Sequence, residues 1–196
     1  MWLIAGLGNP GSEYAKSRHN VGFLVVEELA RRWSQRFRRR RWECLYAEGT
    51  LAGERIILIM PLSFMNQSGR PIKAWLEKRS ILSGRLMIIH DDLDLTFGRI
   101  RVVARRGHGG HQGVLSIQEA IETFAFPRVR VGIGRPDKGD EVEFVLAPFD
   151  EAEARCLPEV LGRAADAVEE IVVHGVVSAM NRFNVRSALP DHHPRR

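Results

Sequence analysis

The sequence predicts an α/β fold: a single-domain sandwich built on a mixed, mostly parallel sheet with helices on both faces. Three observations predict it. First, short apolar runs at residues 2–5, 55–60, 85–89 and 128–133 have the length and continuity of strands buried on both faces. Second, segments of helical period alternate with them, which argues for a sheet covered by helices. Third, two strand-like runs, 43–50 and 54–60, are joined by a turn at Ala52-Gly53-Glu54. Strands that close in sequence pair antiparallel, so the sheet is mixed rather than purely parallel. The domain is expected to span residues 1–188, with a flexible basic tail at 189–196.

The elements follow in order. The first strand, residues 2–5, runs into a loop of glycines, an amide and a proline, which delivers Arg18, His19 and Asn20 to the mouth of a helix. Val21, Leu24, Val25, Leu29 and Trp33 share one face of that helix. The segment Arg36-Phe-Arg-Arg-Arg-Arg-Trp42 is densely cationic and flanked by aromatics. It suits either a phosphate track or a solvated linker. The strand ending at Pro61 leads through a loop at 62–70 to a helix from near Pro71 to about residue 78, proline being favoured in a first helical turn. The strand at 85–89 ends in His90-Asp91-Asp92-Leu93-Asp94. A short strand at 99–104, a glycine-rich loop at 105–113, a helix at 114–124 and the strand at 128–133 come next. Residues 150–174 read as mainly helical, opened by a capping pair of Asp150 with Glu153. Pro158 marks a bend or the true start of that helix, and a short last helix follows Gly175.

Composition bounds the function. The chain has 196 residues, 44% hydrophobic and 27% charged, as a globular protein should. Cys44 and Cys156 are far apart and lack metal-ligand spacing, which suits free thiols in a reducing compartment. The first residues do not resemble a signal peptide, and no apolar run approaches the roughly 20 residues that span a bilayer. A soluble, cytoplasmic protein is expected. The net charge of +5 is clustered and mostly arginine, which calls for a polyanionic partner, nucleic acid ahead of membrane.

Four loops carry the chemistry. One offers Asn9 with His19 and Asn20, a second Asn66 with Gln67, a third His90 with Asp91, and a fourth His108, His111 and Gln112. A histidine base needs a pKa near neutral and a partner on its other ring nitrogen, and Asp91 is suited to that partnership. Other chemistries fit less well. Gly6-Leu-Gly-Asn-Pro-Gly11 matches the dinucleotide pattern, but Pro10 lacks an amide hydrogen and the helical period starts about ten residues too late. There is no G-x-S-x-G elbow for a serine nucleophile. His90, Asp91, His108 and His111 are ligand types that suit zinc, but the flanking glycines and amides look more like a substrate cradle.

These same residues carry a resemblance. Gly6-Leu-Gly-Asn-Pro-Gly11 with Tyr14 and Ser17-Arg-His-Asn-Val-Gly22 resembles the N-terminal signature of bacterial-type peptidyl-tRNA hydrolases. Pro61-Leu-Ser-Phe-Met-Asn-Gln-Ser-Gly69, His90-Asp-Asp-Leu-Asp-Leu95 and Gly107-His-Gly-Gly-His-Gln-Gly113 are similar to three further blocks, and Arg130-Val-Gly-Ile-Gly-Arg-Pro136 with Val145-Leu146 completes the set. The resemblance implies an esterase that releases a peptide from the terminal ribose of tRNA, monomeric and without metal or cofactor. It implies catalytic roles for His19, Asp91 and Asn9, with His19 the base and Asp91 its holder. It implies substrate contacts by Tyr14, Met65, Asn66, His111 and Gln112, and tRNA phosphate contacts by Arg130, Arg101 and Arg105. One departure stands out: the family has asparagine where this chain has Gln112, an amide set one methylene farther out. A noncatalytic RNA-binding relative of the same fold is the alternative reading.

Overall fold

The computed structural model describes residues 1–136 and 138–185. The expected tail at 189–196 lies outside the described residues. Among the described residues seven strands form one sheet: β1 (Trp2–Gly6), β2 (Arg39–Arg41), β3 (Cys44–Leu51), β4 (Glu54–Pro61), β5 (Leu86–Asp92), β6 (Ile100–Val103) and β7 (Arg128–Gly132). Their order is β2-β3-β4-β1-β5-β7-β6. The central strands β4, β1, β5 and β7 are parallel, and the pairings β2–β3, β3–β4 and β6–β7 at the two sides are antiparallel. The α/β sandwich and the mixed sheet expected from the sequence are what the chain forms.

Side chains of a strand alternate between faces, so each central strand feeds two cores. Ile4, Leu58, Met87 and Val129 point into one core, under α1 (Val21–Arg32), α5 (Glu151–His174) and α6 (Val176–Phe183). Leu3, Ala5, Ile57 and Ile88 point into the other, under α2 (Gly69–Lys78) and α3 (Gln112–Ile121). Continuous apolar runs in β1, β4 and β5 are the sequence record of this double burial.

Several boundaries differ from those expected. β5 continues through Asp92, because its last residues pair with β7 up to Gly132. α2 begins at Gly69, so Pro71 lies within its first turn. α3 runs from Gln112 to Ile121 and stops where Glu122 turns left-handed, short of residue 124. Pro158 lies inside α5, while the Asp150–Glu153 capping box starts that helix as expected. A six-residue helix, α4 (Glu141–Leu146), stands in a stretch without a clear apolar period.

Close packing at the carboxyl ends of β1 and β5 depends on glycine. A Cβ on Gly22 would lie 2.4 Å from the Ile89 carbonyl oxygen and 2.4 Å from the Leu7 nitrogen. A Cβ on Gly6 would lie 2.2 Å from the Gly22 oxygen. The start of α1 therefore rests directly on backbone, and the turn before it is held against the strand ends.

Candidate active site

His19 sits in a single 3-10 turn, Arg18–Asn20, between the glycine-proline loop and α1. Asp91 is the penultimate residue of β5, the strand beside β1. The site thus forms outside the carboxyl ends of parallel strands, where loops diverge and leave room for a ligand.

Asp91 joins two imidazoles. His19 Nδ1 lies 2.9 Å from both Asp91 carboxylate oxygens. His111 Nε2 lies 2.9 Å from Asp91 Oδ1. The network assigns the protons. His111 Nδ1 accepts the Val114 N–H at 3.3 Å, so its proton is on Nε2 and is donated to Asp91. His19 donates its Nδ1 hydrogen to the carboxylate, which leaves Nε2 with its lone pair free. His111 is also the N-cap of α3, so the helix start and the site share one side chain.

Charge follows the geometry. Burial opposes ionisation of Asp91, which is 3% exposed, but the imidazoles of His19 and His111 outweigh it and hold the carboxyl well below its ordinary range. Burial likewise disfavours a charged His19, yet Asp91 overcomes it by charge and hydrogen bond, and the His19 pKa is raised from its ordinary value. His90 behaves oppositely. Burial first, then His111 and Arg128, push it well below the ordinary value. Its Nδ1 donates to the Asp91 carbonyl at 2.6 Å and its Nε2 accepts from Arg128 Nη1 at 3.3 Å, so it is a neutral strut rather than a base.

Amides complete the site. The Asn9 N–H donates to Asn20 Oδ1 at 2.8 Å, and Asn20 Nδ2 returns a bond to the Asn9 carbonyl at 2.9 Å. Asn9 Oδ1 accepts the Met65 N–H at 2.8 Å, which fixes the amide plane and leaves its NH2 group without a partner among the described residues. Met65 is buried and its sulfur would meet a Cβ on Gly113 at 2.5 Å, so the loop after β4 and the start of α3 pack closely. Asn66 and Gln112 are exposed on these two segments, and Tyr14 is half-buried on the turn before His19.

His19, Asp91, His111, Asn9 and Met65 are therefore linked through one packed and hydrogen-bonded cluster. The arginines divide. Arg105 is exposed and Arg101 partly so. Arg130 differs from the expectation of a surface phosphate contact. It is 7% exposed and its Nε pairs with Asp92, two residues along β5 from its register partner His90 and so on the same sheet face.

Two arginines without an assigned role in the sequence support the site. Arg18, beside His19, donates to the Pro148 carbonyl at 2.6 Å and to Glu153 at 2.6 Å, and lies 4.3 Å from the Phe144 ring centre. It ties the histidine turn to α4 and to the cap of α5. Arg128 Nη2 donates to the carbonyls of Arg106 at 2.9 Å and Gly107 at 2.8 Å and anchors the loop that carries His111. Burial draws the Arg128 pKa down to about 10. The visible signal was an arginine opening an apolar strand, which seldom goes without a partner.

The metal set considered from sequence is rearranged. The ring nitrogens of His90 are both engaged, and His108 Nδ1 accepts the Gly110 N–H at 3.2 Å. Among the described residues, His19, Asp91 and His111 instead form a possible ligand set, with atoms within 4.8 Å of one another. A cation there would have to displace the hydrogen bonds that orient both imidazoles.

Comparison with known proteins places this geometry. The family model described as peptidyl-tRNA hydrolase matches residues 3–191. The peptidyl-tRNA hydrolase of Chloroflexus aggregans is 46% identical over 186 residues, 94% of this chain and 99% of its own length. That of Frankia casuarinae is 46% identical over 184 residues, 93% of each chain. A crystal structure of peptidyl-tRNA hydrolase from Acinetobacter baumannii superposes with a TM-score of 0.88 at 34% identity, covering 94% of this chain and 95% of that one. The chain belongs to the peptidyl-tRNA hydrolase family.

Proposed function

We propose that this protein hydrolyses the ester between a peptide, or an N-blocked aminoacyl group, and the 3'-terminal ribose of tRNA. The observation that carries the reading is the His19–Asp91–His111 cluster, with its proton placement and the free Nε2 of His19. His19 Nε2 takes a proton from water as the water oxygen bonds to the ester carbonyl carbon. The ribose oxygen then leaves and receives that proton back from His19. Asp91 holds the imidazole in the productive tautomer and stabilises its charged form. Asn9, through its free NH2, and the amide of Gln112 position the ester carbonyl, where charge develops. Met65, Asn66, His111 and Tyr14 line the peptide side. Amide contacts grip a backbone without reading side chains, which suits peptides of varied sequence.

Arg101 and Arg105 contact tRNA phosphates, while Arg130 adds its charge from beneath, bound to Asp92. Phosphate contacts give affinity without sequence information. The protein acts as a monomer in the cytoplasm, where its substrate is. Among the described residues no helix is long and apolar enough to cross a membrane.

The test is release of labelled N-blocked amino acid from tRNA by the purified protein, with chelator present and His19→Ala alongside. Wild-type release that survives chelator and is lost in the variant is the expected result. Tight, salt-sensitive tRNA binding without release would point instead to an RNA-binding relative.

A further inference from the structure

Part of the arginine-rich segment 36–42 is strand rather than linker. Arg39, Arg40 and Arg41 form β2, the edge strand of the sheet, and all three are exposed. A two-residue turn, Trp42–Glu43, joins β2 to β3, with φ of 46° and 54°. Both residues are left-handed, as a tight hairpin requires, yet neither is glycine. The turn is held by its neighbours. The Trp42 ring meets Trp75 edge-on with centroids 4.8 Å apart, Glu43 pairs with Arg70, and the Glu43 carbonyl accepts the Leu62 N–H at 2.8 Å. The arginines are thus presented on a rigid hairpin.

Their position is informative. Arg41 lies opposite Cys44, which lies opposite Pro61 at the carboxyl end of β4. β2 therefore flanks the same end of the sheet as the active site, three strand spacings from β1, about 14 Å. Among the described residues, none of Arg38, Arg39, Arg40 and Arg41 has a carboxylate partner, and Arg41 lies 4.3 Å over the Trp42 ring. One charge is enough to block pairing at a sheet edge. Arg39 and Arg41 share one face of the edge strand and Arg40 takes the other, so unpaired guanidinium groups line both sides of an exposed edge, with an aromatic at its end, and make a polyanion track.

We infer that the β2 edge is a second phosphate-binding track for the tRNA portion of the substrate, separate from Arg101 and Arg105. The inference rests on the proposed hydrolase activity. It places the tRNA body across the end of the sheet, with the ester at His19 and phosphates beyond it resting on the hairpin.

The experiment compares wild type with R39Q/R40Q/R41Q and R39K/R40K/R41K. Two substrates are used, N-blocked aminoacyl-tRNA and the same amino acid esterified to the CCA trinucleotide, each over a range of salt. Loss of three phosphate contacts should raise KM for the whole tRNA by roughly tenfold, leave kcat unchanged and reduce the log–log salt slope by about two to three. The lysine variant should keep most of the slope, and the trinucleotide substrate should be unaffected. An unchanged KM and slope on tRNA would overturn the track and leave the arginines as edge protection. An equal loss on both substrates would overturn it as well, because the defect would then lie at the ester site. A wild-type protein inert on both substrates would reject the hydrolase reading itself, a result distinct from either.

Discussion

Asp91 sets the chemistry of its neighbours, and its replacement is the sharpest test at the level of single residues. Asp91→Asn keeps the shape but removes the charge that holds His19, so the wrong tautomer becomes available and kcat should fall by roughly 10⁴-fold. The same change should move the acid limb of the rate profile. In the proposed mechanism His19 acts as a base only when neutral, so its raised pKa should place the wild-type limb above the ordinary 6.5. In the variant the limb should shift down, which a pH–rate series reads directly. Stability follows the same pair. Asp91, depressed in the fold, contributes stability present above its unfolded value near 3.8 and lost as pH falls through its folded value. His19, raised, contributes stability fully present below about 6.5 and lost as pH rises through its folded value. The pair is thus strongest between those limits, and Asp91→Asn should lower the stability there and flatten the curve outside them, below 3.8 and above 6.5. Gln112 carries a gentler prediction. Its exposed amide reaches about 1.5 Å farther than asparagine would, and misplacement near 1 Å can cost about a hundredfold. Gln112→Asn should keep or raise the rate, and a large fall would show that the loop is adapted to glutamine. His19, Asp91 and His111 were all legible as candidates, because polar residues at strand ends stand out. That Asp91 serves both imidazoles was not, since the two come from segments 92 residues apart.

Elements were legible in proportion to their length and period. The strands β1, β4 and β5 announced themselves by continuous apolar runs, and α1 and α5 by helical spacing. β2 did not, because three arginines carry no strand signal and their strand exists through pairing with β3. α4 was too short for a period to show, although Asp140 caps it by accepting from Val142 at 2.6 Å. The packing between elements gives two predictions. Gly22→Ala puts a methyl 2.4 Å from two backbone atoms, so α1 must move. The expected cost is about 1–3 kcal/mol in urea unfolding, together with a fall in kcat, because the shifted helix carries the His19 turn. A stable but inactive variant would show that orientation, rather than stability, is what the contact secures. Arg18→Met leaves Glu153 without its partner in a pair whose side chains are 8% and 16% exposed. Removing one member of a buried pair costs about 3–5 kcal/mol, less here for residual solvent contact. Loosening of the α4–α5 junction should appear as faster hydrogen exchange at residues 141–153.

Across the whole molecule, charge is placed by the sheet. A net +5 predicted a polyanionic partner but not where it would lie, since a total says nothing about edges. The topology supplies that. β2 and β6 are the two outer strands, six spacings or about 29 Å apart, and the His19–Asp91–His111 cluster lies between them at the ends of β1 and β5. Arg101 belongs to β6 and Arg105 follows it, while Arg39, Arg40 and Arg41 form the other edge. That separation exceeds the Debye length of about 8 Å at physiological salt, so neither group perturbs the other through solvent. Each phosphate contact releases its own counterions, so contacts made by groups so far apart should add in the salt slope even on one tRNA. A variant lacking Arg101 and Arg105 and one lacking the β2 arginines should each reduce the salt slope of kcat/KM on tRNA, and the combined variant should lose the sum. A combined loss equal to the larger single one would mean that tRNA uses one edge at a time, in alternative poses. A combined loss greater than the sum would mean that the two edges grip one rigid ligand together, so that binding to the first restricts the search for the second.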